Sequence, residues 1–339
     1  IKFRFHILKI KTTFKGDFRM TTAKPFYKKT NKILLFIFIL LFFILAILFP
    51  KSLAYGTLNG ITLSINNVIP ALLPFFVVTN ILINSSIATK LSTYLKKPMR
   101  FLFNLPSCAA LPFFIGIVGG FPIAASLVAS LYAKNLLTKK QSECVLAFTN
   151  NASFAFVTSI VGTTVLRSFS LGVLLFVIQI FVSCLFGVIL CKTKLSKPID
   201  KEILIITEGN ISSIIISSIK SSVMSIALVC AFIAFFSGIA SLLSQIQLPP
   251  FSFHSSFFIG LLEMTSGIVP YKYFALSLKN ILEIYFLLSF SGACVFMQII
   301  AMLKNTDISP KYFFLSKIIT PLVGGVIIII IFSIFKISF

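Results

Sequence analysis

Four uninterrupted apolar runs, at 33–49, 170–190, 223–245 and 312–335, constrain this chain more than any other feature. Each has the length of a bilayer-crossing helix, which takes about 20 residues within a range of roughly 17 to 25. In lipid such a run must be helical, because nothing outside the chain can pair its backbone N–H and C=O groups. Three further runs, at 68–88, 143–166 and 280–303, have the length but carry polar breaks. Composition agrees with a lipid environment. Of 339 residues, 58% are hydrophobic and 11% charged, with a mean hydropathy of +1.04. That is too little charge to clothe a soluble surface. The predicted fold class is an all-α, polytopic transmembrane protein of about seven spans.

Two other apolar stretches do not read as ordinary spans. One, 101–133, is broken at Gly119-Gly120-Phe121-Pro122; the other, 255–271, is broken at Thr265-Ser266-Gly267. A break at membrane depth frees backbone groups that must face protein or a water-filled cavity. Both are therefore predicted to be re-entrant helical hairpins. The charge distribution supports this. With the N-terminus inside and each hairpin entering and leaving on one side, the inside segments are 1–32, 90–100, 134–140, 192–220 and 304–317. They hold 25 of the 30 Lys and Arg, leaving Lys51, Arg167, Lys272, Lys279 and Lys336 outside. Such a bias orients membrane helices, and it accounts for the net charge of +22 without nucleic acid as a partner. The expected partner is the lipid bilayer.

The layout contains a repeat. Phe113-Phe114-Ile115-Gly116 lies in the first hairpin and Phe257-Phe258-Ile259-Gly260 in the second. A broken helix follows each, at Phe148-Thr149-Asn150-Asn151 and at Phe290-Ser291-Gly292. Polar-apolar stretches at 52–67 and 208–222, placed along the membrane surface, precede them. The predicted organisation is a basic lead at 1–32, a first helix at 33–51, a first repeat at 52–191, a basic linker at 192–207, and a second, inverted repeat at 208–339. Met20 is read as the start of the functional protein. Inverted repeats with paired broken helices are the architecture of secondary transporters, whose substrates sit near the midplane between the breaks.

Candidate site residues follow from this. Ionisable groups inside a membrane are costly and usually functional. Glu263, one turn before the second hairpin break, is predicted to bind a coupling cation, accept a proton or orient substrate; capping of nearby backbone donors is the alternative. Thr265, Ser266 and Gly267 accompany it. Asn150 and Asn151 supply both donors and acceptors, with helix-to-helix hydrogen bonding as the plainer role, and Ser153 stands just beyond them. Gln298, past the break at Ser291 and Gly292, has the same two readings. Gly119, Gly120 and Pro122 are read as backbone devices that end a half-helix and expose amides to an anion. Glu283, Lys272 and Lys279 read as interfacial charges. The cysteines Cys108, Cys144, Cys184, Cys191, Cys230 and Cys294 form no C-x-x-C pair, and His6 and His254 are far apart, so neither a metal site nor a disulfide framework is expected. The sequons at Asn84, Asn151 and Asn210 are read as chance matches. No nucleophile with a paired His and no phosphate loop occurs, so no enzyme and no cofactor are expected.

Several motifs also fall in a familiar order: Leu48-Phe49-Pro50, Pro70 through Phe76, Gly120-Phe121-Pro122, Phe148 through Asn151, Leu262 through Gly267, and Gly292 through Gln298. Over about residues 33 to 335 the chain resembles the YlbJ-type sporulation integral membrane proteins of endospore-forming bacteria. These belong to the nucleoside-recognition (Gate) domain group, related to concentrative nucleoside transporters. The resemblance implies a protein of the mother cell in the outer forespore membrane. It further implies that the substrate is dipicolinic acid, a small anionic aromatic solute, moved toward the spore. Related transporters assemble as oligomers, so a homo-oligomer is an option. The sequence departs from the family pattern at Ala124, Ser153-Phe154, Phe296 and Ser266, where Gly, Gly-Pro, His and often Asn are expected. Nucleoside transport and a non-transporting membrane scaffold are the competing readings. Coupling to H+ or Na+ is left open.

Overall fold

The computed structural model describes residues 29–83, 92–196, 211–245, 247–248, 251–252 and 256–335. Expectations for the lead 1–28, with His6 and Met20, lie outside the described residues, as do those for Asn84, linker residues 197–207, Asn210, His254 and Lys336. The chain divides into two compact units, 1–40 and 41–339; of the first, the described part is the beginning of helix α1.

The described chain is almost wholly helical. Helix α1 spans Lys29–Leu48 and gives way at Phe49 to α2 (Pro50–Leu63), whose first position is a proline that needs no N–H partner there. A π-helical turn, Ser64–Val68, joins α2 to α3 (Ile69–Ile83). Pro70 and Pro74 each lack the N–H of a regular helix, and a π turn accommodates such a gap. After α4 (Lys96–Phe103) come α5 (Ala110–Gly119), α6 (Phe121–Ala133) and α7 (Lys139–Thr149). Thr138 and Gln141 form a capping box at the start of α7. A second π-helix, Phe156–Val165, leads to α8 (Phe169–Lys194) and, beyond the linker, α9 (Ile211–Leu243). The second half comprises α10 (Ser256–Leu262), α11 (Met264–Ile268), α12 (Leu278–Phe290), α13 (Gly292–Met302) and α14 (Lys311–Ile334). Gln247–Leu248 and Phe251–Ser252 make one short antiparallel pair, the sole strands among the described residues.

Helix α8 shows which solvent the fold is built for. Val177, Phe181, Leu185 and Ile189 form an exposed stripe at four-residue spacing, while Gln179 and Ser183 are buried on the other face. Helix α14 repeats the pattern, with Ile318, Leu322, Val326 and Ile330 outward and Lys317 and Thr320 inward. Water would not tolerate such continuous apolar surface, whereas lipid requires it. Four helices or helix pairs, over 169–194, 211–243, 278–302 and 311–334, are long and apolar enough to cross a membrane; counting two bent pairs gives six. The protein is thus a multi-pass integral membrane protein.

Several boundaries differ from expectation. Phe101–Phe103 belong to α4, bent 92° from 107–119, so the first hairpin has limbs 107–119 and 121–133 instead of running from 101. In the second hairpin the helix breaks at Glu263, and Thr265–Gly267 lie within α11. Glu263 has an extended backbone and caps the new helix, which places the interruption four residues ahead of Gly267. The stretch 208–222 is not a separate surface segment. From Ile211 it is continuous with α9, its serines returning hydrogen bonds to carbonyls three or four residues back, as Ser217 does to Ile214, Ser222 to Ser218 and Ser225 to Ser221. Likewise 52–67 continues by way of the π turn into α3. Helices α2 and α3 both pack along α9.

Loops predicted on one side of the membrane meet in the fold. Inside, Lys139 pairs with Asp307 at 3.1 Å, the Tyr132 hydroxyl donates to Asp307, and the Ser309 amide donates to Glu143 at 3.2 Å. Outside, the Arg167 guanidinium donates to the Lys272 carbonyl at 3.2 Å. The Tyr132 hydroxyl, followed by the Lys139 ammonium, holds the Asp307 carboxyl below its ordinary range. Its contribution to stability is therefore present above the ordinary carboxylate range and is lost as pH falls through the depressed value. Because the pair is exposed, Asp307→Asn is expected to cost no more than about 1 kcal/mol, read as a small loss of melting temperature at neutral pH that vanishes in acid.

Candidate functional site

The two hairpin tips and the first helix break converge on one cavity of about 320 Å³. Gly119, Gly120, Phe121 and Pro122 come from the first hairpin, Ala152, Ser153, Phe156 and Ser159 from beyond α7, and Glu263, Met264 and Thr265 from the second hairpin. Gln298 on α13, Val229 and Ile233 on α9, and Leu63, Asn67, Leu72 and Phe75 on α2–α3 complete the wall. The lining is mostly apolar with a few polar groups, the usual character of a small-molecule site.

Each break has a local cause. Gly120, between α5 and α6, adopts φ +83° and ψ −166°, a conformation open essentially to glycine alone. Pro122 then starts the next half-helix. Ser291 and Gly292 both take positive φ between α12 and α13, and Gly292 lies against the carbonyls of Gly260 and Leu262. At the end of α7 the chain leaves helical geometry at Asn150. The freed carbonyls there are met by side chains: Thr149 Oγ1 donates to Val145 at 2.9 Å, Asn150 Nδ2 to Leu146 at 2.7 Å, and Asn151 Nδ2 to Phe148 at 2.9 Å. Asn151 Oδ1 accepts from Ser183 at 2.8 Å.

The predicted residues thus separate. Gly119, Gly120, Pro122, Ser153, Glu263, Thr265 and Gln298 line the cavity. Asn150, Asn151, Ser266, Gly267, Ser291 and Gly292 do not; they shape and satisfy the breaks behind it. Glu263, 3% exposed, accepts from the amides of Thr265 at 3.1 Å and Ser266 at 2.6 Å, so it caps α11 while facing the cavity. Gln298 Nε2 lies 3.3 Å from Cys294 Sγ. Glu283 accepts from Tyr271 at 2.6 Å and lies 3.8 Å from Lys279, a local cluster apart from the cavity.

One functional candidate was missed. Lys317 was assigned to an inside loop, yet it lies on α14 at 1% exposure, with its ammonium donating to the Asn150 carbonyl. Its other neighbours are ring faces, Phe121 at 5.0 Å and Phe313 at 5.6 Å. The apolar run 312–335 already contained it, and the loop charge count concealed it. Burying an ammonium costs several kcal/mol unless it is compensated. Here the carbonyl end of α7 and two aromatic faces provide the compensation. The two breaks are electrically opposite: a carboxylate at the amide end of α11 and an ammonium at the carbonyl end of α7.

Exposed apolar stripes, polar groups turned inward and a cavity built at helix breaks define a multi-pass helical membrane protein with an internal, mostly apolar cavity that carries a few polar groups. No family model matches the chain, and no solved structure does. It is similar to "Sporulation integral membrane protein YlbJ" of Bacillus subtilis (strain 168), with 25% identity over 342 residues, covering 90% of this chain and 84% of that protein. The similarity to that sporulation integral membrane protein runs over most of both chains.

Proposed function

We propose that the protein is a transporter that carries a small anionic aromatic solute, dipicolinic acid, from the mother cell across the outer forespore membrane. The observation that supports it best is the convergence of both hairpin tips and a helix break on one cavity. Broken helices around a shared site are how secondary transporters hold substrate at membrane depth. The order of elements also supports two repeats: α5–α6, α7 with its π-helix, then α8, against α10–α11, α12–α13, then α14. Phe75, Phe121 and Phe156 offer ring faces to an aromatic solute, and Ser153, Thr265 and Gln298 offer polar contacts. Glu263 is the carboxylate on the cavity wall and the seat of a proton or Na+ that travels with the anion. Nucleoside transport is the second reading, supported by the neutral hydroxyl and amide groups of the same wall.

The test is uptake of labelled dipicolinate into liposomes holding the protein, with H+ and Na+ gradients applied separately. Glu263→Gln is expected to lower gradient-driven uptake by about tenfold to a hundredfold, the equivalent of the roughly 1.5–3 kcal/mol carried by a charge-assisted hydrogen bond. Uptake of labelled uridine or adenosine but not of dipicolinate would favour nucleosides. No uptake of either by folded protein would leave a scaffold as the better account.

A further inference from the structure

We infer that Lys317 is the anion-selecting charge of the cavity, set one aromatic ring behind its wall. This rests on the transporter reading and names the group that meets the substrate's negative charge. Lys317 is almost wholly buried, and its recorded partners are one backbone carbonyl and two rings. The four carboxylates among the described residues are engaged elsewhere: Glu143 with Ser309, Glu263 with Thr265 and Ser266, Glu283 with Tyr271 and Lys279, and Asp307 with Tyr132 and Lys139. The ammonium therefore has hydrogen-bonding capacity for more than its one carbonyl partner, and it has no fixed counter-ion among the described residues.

Its position gives that positive charge a use. Phe121 is both the ring beneath the ammonium and part of the cavity wall. Rotation of one side chain would open Lys317 to a carboxylate seated beside Gly120 and Pro122. The acceptor that now holds it, the Asn150 carbonyl, belongs to a residue whose own Oδ1 is buried without a partner. Glu263 repels an anion from the opposite hairpin, so the cavity can favour anions only if Lys317 outweighs it. A structural cap for α7 needs no such placement behind a cavity wall.

The experiment places a cysteine at the wall, Ser153→Cys, in the full-length reconstituted protein. Its labelling is timed with a sulfonated, a trimethylammonium and a neutral methanethiosulfonate, each corrected for its rate with a free thiol; protein without the substitution is the blank. The sulfonated reagent is expected to react faster than the cationic one, and Lys317→Gln to lower that ratio by about tenfold, the smaller end of what charge focusing in a cleft produces. The neutral rate should not change. Faster cationic labelling with Lys317 present overturns the proposal without need of any variant. A ratio unaltered in Lys317→Gln, with the neutral rate intact, overturns it too and leaves transport standing. If Lys317→Gln does not fold, the ratio with Lys317 present decides the question. A cysteine that even the neutral reagent cannot reach would remove both this proposal and the transporter reading.

Discussion

Replacing Gly267 by alanine is expected to abolish recovery of folded protein, or to lower its melting temperature sharply. A Cβ at this position would overlap Gly260 Cα and N and lie 2.7 Å from the Ser256 carbonyl oxygen. All three are backbone atoms, so no side chain can turn away to make room. The limbs α10 and α11 would have to separate, and Glu263 and Thr265 would leave the cavity wall with them. Overpacking a core costs about 1–3 kcal/mol when side chains can adjust, and here the cost should exceed that range. Recovery of a single size-exclusion peak after heating in detergent measures it. An unchanged melting temperature would mean that the limbs do not touch as described.

The second large effect is a contrast between adjacent glycines. On α14, Gly324 faces the Tyr285 hydroxyl and ring so closely that a Cβ would coincide with them, whereas a Cβ on Gly325 would meet only Leu282, at 3.9 Å. Tyr285 is wholly buried on α12 and has nowhere to swing. Gly324→Ala should therefore force α12 and α14 apart and cost roughly 3 kcal/mol or more. Gly325→Ala should be neutral, or stabilising by up to about 1 kcal/mol through helix propensity. Paired thermal melts decide the matter: equal behaviour of the two variants would refute the described packing of α12 against α14.

Much of this was legible in the sequence, for identifiable reasons. The long apolar runs gave α1, α8, α9 and α14, because lipid leaves such runs only one backbone solution. The break at Gly119 through Pro122 was legible because glycine and proline change the backbone locally, whatever surrounds them. The exact break of the second hairpin was not. Thr265-Ser266-Gly267 looks like the interruption, but Gly267 serves a tertiary contact with Gly260, which no local pattern announces. Asn150 and Asn151 suit either a solute or helix-to-helix hydrogen bonding; their amides meet the last carbonyls of α7, and Asn151 also accepts from Ser183 on α8. Lys317 was hidden by an assumption that lysines at the edge of an apolar run belong to the loop. The walls from α2, α3 and α9 were out of reach too, since Leu63, Val229 and Ile233 carry no chemical mark and meet only through folding.

The opposed charges at the two helix breaks carry a consequence for energetics across the membrane. At the breaks, the Glu263 carboxylate and the Lys317 ammonium offset one another. On the transporter reading proposed above, a dicarboxylate entering with fewer than two co-ions would upset that balance, and the loaded protein would carry net charge through the bilayer. Turnover would then be electrogenic, and a resting potential would do work on it of about 2.3 kcal/mol per elementary charge for each 100 mV. Voltage, as well as concentration, would set the direction in which the solute moves.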